Sequence, residues 1–117
     1  MSASPQPDVI EKPWGSETLH FLGRYCCKEL FMRAGEECSL QYHRTKTETV
    51  VVISGRLLVK HGQSETELVS QILLPGQTLH IDAGTVHQMH ALEDSIYFEA
   101  SSPELDDVVR LSDKYGR

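Results

Sequence analysis

The stretch LQYHRTKTETVVVISG, Leu40 to Gly55, runs from polar side chains straight into an apolar block. Val50, Val51, Val52 and Ile53 are β-branched and suit a buried strand, whereas Gln41, His43 and Glu48 resist burial. Strand side chains alternate faces, so Gln41 and His43 project to the same side, about 6 to 7 Å apart along the chain. The polar connection Arg44-Thr45-Lys46-Thr47 can turn the chain back, so that Glu48 opens a returning strand beside the first. Three such groups converging inside a β structure either satisfy one another or hold something.

The surrounding chain supports an all-β reading. Gly15, Gly23, Gly35, Gly55, Gly62, Pro75-Gly76 and Gly84 punctuate runs rich in Val, Ile, Leu, Thr and Tyr, a spacing that favours a sandwich or barrel. Strands are expected near 17–22, 26–33, 38–43, 48–54, 56–61, 65–69, 71–74, 79–82, 86–92 and 95–101. The one helical candidate is 103–111, which begins with Pro and acids, and an ordered tail is the alternative. Residues 1–8 are polar and proline-containing and are expected to be disordered, with 9–117 forming one domain. His61, in the polar cluster HGQSETE, reads as a solvated loop histidine.

A chain of 117 residues and 13.2 kDa has room for one core. Its formal charge of -6 and pI near 5.4 argue against nucleic acid or anionic lipid, both of which demand a basic face. A small molecule fits better. No apolar run approaches the roughly 20 residues of a bilayer span, and MSASPQPD lacks the basic start and apolar centre of a signal peptide. A cytoplasmic protein with no membrane association is expected. Cys26, Cys27 and Cys38 are odd in number and without CxxC spacing, so they read as reduced thiols.

The second informative stretch is PGQTLHIDAGTVHQMHA, Pro75 to Ala91. Its two turns deliver His87 to the start of a strand, a fourth group from a distant hairpin. By alternation His87, Met89 and Ala91 share one face, and His90 points the other way.

Gly35-x5-Gln41-x-His43-x4-Glu48-x6-Gly55 resembles the first cupin motif, with Gln where many cupins carry a first His. Gly76-x5-Asp82-x-Gly84-x2-His87 resembles the second. The resemblance implies a single-domain antiparallel β-barrel or jelly roll, the double-stranded β-helix. A narrower likeness covers almost the whole chain: KPWGSE from Lys12, LQYH ending at His43, AGTVH ending at His87, and DDVVRLSDKYGR at the C-terminal end are similar to the isomerase domain of type II phosphomannose isomerases. That domain usually follows a sugar-nucleotide pyrophosphorylase domain, and a stand-alone version is expected here.

The resemblance implies that Gln41, His43, Glu48 and His87 are the ligands of one divalent metal ion per chain. Such donors are compatible with Zn, Mn, Fe, Co or Ni, and the likeness favours zinc. It also implies proton transfer between C1 and C2 of a phosphorylated aldose or ketose such as mannose 6-phosphate. Catalytic candidates are Lys46, which stands where the isomerases carry Arg, Glu99 in the strand SIYFEA, and Arg110 for phosphate. A surface position competes for Glu99 and a solvated loop position for Lys46. Arg117 reads as pinned by the tail acids Asp106, Asp107 and Asp113, a pairing that competes equally for Arg110; Trp14 reads as packing, and His20 and His80 are undecided. Thr49-Val50 and Gln88 depart from the isomerases, which carry His-Trp and Arg there, and are expected to remove groups that touch substrate. Competing readings are an iron cupin that activates oxygen and a non-catalytic sugar-binding or partner cupin. A homodimer paired through sheet edges is expected.

Overall fold

The structure, a computed structural model, describes residues 7–117. Eleven strands run in chain order: β1 (Asp8–Lys12), β2 (Gly15–Leu22), β3 (Cys26–Met32), β4 (Leu40–Tyr42), β5 (Glu48–Ser54), β6 (Leu57–Gly62), β7 (Leu68–Leu73), β8 (Thr78–Ile81), β9 (Val86–Ala91), β10 (Ser95–Ser101) and β11 (Val109–Ser112). They form a six-stranded sheet, β1-β2-β3-β10-β5-β8, and a five-stranded sheet, β11-β4-β9-β6-β7. Every pairing is antiparallel. Among the described residues no helix is long and apolar enough to cross a membrane.

Alternation writes the core. Cys26, Lys28, Leu30 and Met32 turn inward from β3, Glu48, Val50 and Val52 from β5, and Ser95, Tyr97, Glu99 and Ser101 from β10. From the facing sheet Leu57, Val59, Met89 and Ala91 meet Val50, Val52, Leu30 and Met32 in one cluster closed by Trp14, Leu73 and Ile81. Each fully buried aliphatic side chain contributes about 1.5–3 kcal/mol. The same inward faces carry Lys28, His43, Lys46, Glu48, His87 and Glu99, all buried. The apolar core therefore passes into a polar chamber without any strand changing face.

Gly55 makes the β5–β6 turn possible. Its φ is +90°, and a Cβ there would lie 2.4 Å from the Asp94 carbonyl oxygen. Only glycine meets both demands.

Four expectations need correction. Residues 65–69 and 71–74 contribute to one strand, β7, because its register with β6 runs without interruption. His61 belongs to β6 rather than a loop, with its Nε2 3.3 Å from Gln71 Oε1 across the ladder. A strand precedes those expected: β1 pairs Asp8 with Leu19, so Asp8 lies in a strand, while 1–6 of the expected tail fall outside the described residues. Finally, 103–111 is not helical. Val108 and Val109 are β-branched, and β11 covers the free side of β4, pairing Val109 with Tyr42 and Arg110 with Gln41. Asp107, one of the acids that suit a helix N-terminus, gives its carboxylate to the backbone of residues 44–46 instead.

Candidate metal centre

His43 leaves β4 just as the chain turns, Glu48 opens β5, and His87 is the second residue of β9, opposite Gln41 in the β4–β9 ladder. His43 Nδ1–H donates to the Asp107 carbonyl oxygen at 2.5 Å, and His87 Nδ1–H donates to the Thr85 carbonyl oxygen at 2.9 Å. A carbonyl only accepts, so each neutral ring carries its hydrogen on Nδ1 and presents an Nε2 lone pair. The two Nε2 atoms lie 3.3 and 3.1 Å from Glu48 Oε1. Three electron-pair donors, all buried and within 4.8 Å of one another, thus face each other.

That arrangement is what a cation relieves. Two imidazole nitrogens and a carboxylate oxygen with no hydrogen between them repel, whereas a divalent ion needs such a set. Both Nδ1 anchors, a backbone carbonyl each, are the partners that orient metal-bound histidines. The donor set fits a metal. Of the four expected ligands the fold gathers three into one cluster. Gln41 lines the same cavity, but its Oε1 accepts from Ser39 Oγ at 2.5 Å.

Lys46 is not a solvated loop lysine. It is 5% exposed, with Nζ 3.0 Å from Glu99 Oε2 and 3.8 Å from Glu48 Oε2. Burial alone lowers a lysine pKa, but the charges of Glu99 and Glu48 outweigh it and raise that of Lys46. Glu99 is not on the surface. It faces inward with Tyr97 and Ser101, and burial together with the neighbouring Glu48 charge pushes its pKa up to about 8. Glu48 goes the other way. Burial opposes its ionisation, yet the Glu99 carboxyl as hydrogen-bond partner and the Lys46 charge hold it well below the usual carboxylate range. The cluster thus sets one cation, Lys46, between two carboxyls driven apart in acidity, Glu48 the stronger acid and Glu99 the weaker.

The cavity, of about 130 Å³, is walled by Lys12, Lys28, Lys46, Arg110 and Arg117 against Glu17, Glu48 and Glu99. A chain of net charge -6 has concentrated cations here. Arg110 is exposed at the wall, and no ion pair engages it among the described residues. Arg117 Nε donates to Asp113 Oδ2 at 2.7 Å, the pinning expected for it. Trp14, 4% exposed, packs in the core and lines the cavity.

Lys28 and Lys12 escaped the sequence reading. Lys28 Nζ lies 3.1 Å and Lys12 Nζ 4.0 Å from the two oxygens of Glu17. A signal existed: in CCKELFM, Lys28 shares parity with Cys26, Leu30 and Met32, so a charge stands in an inward set.

His20, His80 and His90 lie away from the centre, paired with Glu29, Asp82 and Glu37. The side chains of Thr49 and Gln88 also point away. Thr49 Oγ1 is 3.0 Å from His80 Nδ1 on the outer face, and Gln88 Nε2 donates to Glu37 Oε2 and the Cys38 carbonyl. Val50, fully buried, belongs to the core beneath the site. The departures at Thr49 and Gln88 therefore remove nothing from the cavity wall. The three cysteines are unpaired, and burial pushes the Cys38 thiol up to about 12, so it offers no thiolate to a metal.

Residues 4–113 match the family described as mannose-6-phosphate isomerase C-terminal. Xanthan biosynthesis protein XanB of Xanthomonas campestris is 28% identical over 114 residues, 92% of this chain and 23% of its own length. Mannose-1-phosphate guanylyltransferase of Salmonella montevideo is 29% identical over 116 residues, with the same shares. The chain thus spans about a quarter of the length of these relatives. Among solved structures, the capsular polysaccharide assembling protein CapF from Staphylococcus aureus superposes with a TM-score of 0.80 at 18% identity, over 93% of this chain and 32% of its own. KdgF from Halomonas sp. gives 0.73 at 22% identity, over 85% and 88%.

Proposed function

Because this chain belongs to the mannose-6-phosphate isomerase C-terminal family and folds as a single all-β cupin domain, we propose that it is a metal-dependent isomerase of a phosphorylated aldose and ketose, such as mannose 6-phosphate and fructose 6-phosphate. The observation that carries the proposal is the convergence of His43 Nε2, Glu48 Oε1 and His87 Nε2, with both rings anchored through Nδ1. These three would hold one divalent ion, zinc before Mn, Fe, Co or Ni, with Gln41 as a fourth ligand once it turns from Ser39. Such an ion would supply a Lewis acid for a sugar carbonyl oxygen.

The chain's own residues divide the remaining work. Glu99 takes the proton at C2 and returns it at C1, its carboxyl held beside Glu48 in the buried cluster. Lys46, 3.0 Å from Glu99 Oε2, holds that carboxyl in place and balances its charge as the proton moves. Lys12, Lys28 and Arg110 receive the phosphate, for which several cations on one wall are suited. The outward positions of Thr49 and Gln88 support this reading, since the cavity keeps its wall despite those departures. Trp14 closes the chamber against water.

Three unpaired cysteines suit a reducing compartment, and a cytoplasmic homodimer belongs to the same proposal. Val69 and Ile72 stand exposed on β7, an edge strand a second copy would cover. Light scattering checks it: a monomer at micromolar concentration removes the dimer from the proposal.

The deciding experiment has two stages. Protein purified without a nickel column should contain about one equivalent of metal by elemental analysis. Incubation with mannose 6-phosphate in deuterated water should then place deuterium at C2 of the recovered sugar. Unlabelled sugar from metal-loaded protein would leave a sugar-binding cupin instead.

A further inference from the structure

The tail motif DDVVRLSDKYGR offers Asp107, whose expected role was to pair with an arginine. Its carboxylate does something else. Oδ1 accepts from the Arg44 backbone N–H at 2.9 Å, and Oδ2 accepts from Thr45 and Lys46 at 2.7 and 2.9 Å. These are successive amides of the turn joining His43 to Glu48. The carbonyl oxygen of the same residue accepts His43 Nδ1–H. One residue from a segment more than 60 positions away therefore closes four bonds on the turn that separates two of the three clustered donors.

We propose that Asp107 is the positioning residue of the centre. Through its carboxylate it locks the 44–46 turn, and the lock holds its own carbonyl against His43, setting which nitrogen of that ring faces Glu48. The same lock places Lys46, whose backbone N–H it binds, against Glu48 and Glu99. Turns of this kind can rearrange when their amides are free to choose other partners, and a carboxylate taking three of them leaves a single arrangement. The C-terminal segment is thus a structural part of the metal centre rather than a trailing strand. His43 itself is oriented from outside the motif that contains it. The inference rests on His43 being a ligand, but its geometric half does not require a bound ion.

The test compares Asp107→Ala and Asp107→Asn in the full chain. Zinc affinity is measured by competition with a chromophoric chelator, and the ring nitrogens of metal-free protein by 15N–1H correlation. Asp107→Ala should weaken zinc roughly tenfold, as loss of an orienting partner does, and should mix the His43 tautomers. Asp107→Asn keeps one accepting oxygen for Thr45 and Lys46 and should recover most of the affinity. Ser95→Ala, which removes a buried hydroxyl at the distant β5–β6 turn, is the comparator for general destabilisation and should bind zinc normally. Wild-type zinc affinity in Asp107→Ala, an unchanged His43 tautomer, or an equal loss in Ser95→Ala would each overturn the inference. If the native chain itself binds no zinc, the metal reading fails, and the tautomer measurement still decides the role of Asp107.

Discussion

Replacing Lys46 with methionine leaves the side chain's length and apolar stem in place and removes only its charge. Among the described residues it is the one cation within 4 Å of both buried glutamates. Its attraction to Glu48 across 3.8 Å, at an effective dielectric constant near 20, is about 4 kcal/mol before desolvation is counted. Breaking a buried pair by removing one partner costs about 3–5 kcal/mol, because the other charge stays buried and uncompensated. The lower end applies here, since burial and the Glu48 charge make Glu99 the weaker acid, which can take up a proton when Lys46 is lost. We expect Lys46→Met to lose about 3 kcal/mol in metal-free protein, or roughly 10–20 °C in melting temperature for a domain of this size. Urea unfolding followed by the fluorescence of buried Trp14 measures it, with an unchanged denaturant slope. Glu48→Gln in the same background should restore part of the loss, giving a coupling of at least about 1.5 kcal/mol in a double-mutant cycle. A loss below about 1 kcal/mol, or strict additivity, would refute the charge balance described for the cluster.

Glu99→Gln should lower turnover by about 10²- to 10⁴-fold, the usual worth of a positioned acid-base group, while zinc affinity changes little; equal losses in both would make Glu99 a structural residue. Lys28→Met should raise KM for mannose 6-phosphate about tenfold with kcat nearly unchanged, which steady-state kinetics checks. The tail should undock in acid. Hydrogen bonds from Tyr115 and Lys114 lower the Glu36 pKa, and those from Arg117 and Tyr115 lower that of Asp113 against the opposing effect of burial. Both groups are depressed in the fold, so what they add is present above the ordinary carboxylate pKa and fades as pH falls through the lowered values. Protection of the 113–117 amides, taken relative to intrinsic exchange rates, should therefore fall below about pH 4, and a tail equally protected at pH 3 and pH 6 would contradict the assignment.

Alternation carries the legible part of this molecule. From Glu48, Val50 and Val52, or from His87, Met89 and Ala91, the facing of each side chain follows from strand parity, and so do the inward donors. Parity also bears on Lys28 and Glu99, but a charged residue in an inward set reads as an exception until the opposite wall is known. What could not be read is long-range partnership. Nothing local distinguishes Asp107 from Asp106, for example. The difference is made when β11 pairs with β4 and brings the 104–108 segment over the turn after His43. The helix signal at residue 103 failed for the same reason, since Asp107 spends its carboxylate on amides of another strand's turn rather than on its own segment. Spacing within a motif can thus name the donors of a centre, while the groups that aim those donors are set by which strands meet. This is why the residues that depart from the isomerases at Thr49 and Gln88 matter less than their place beside the ligands suggests, and why Asp107 matters more.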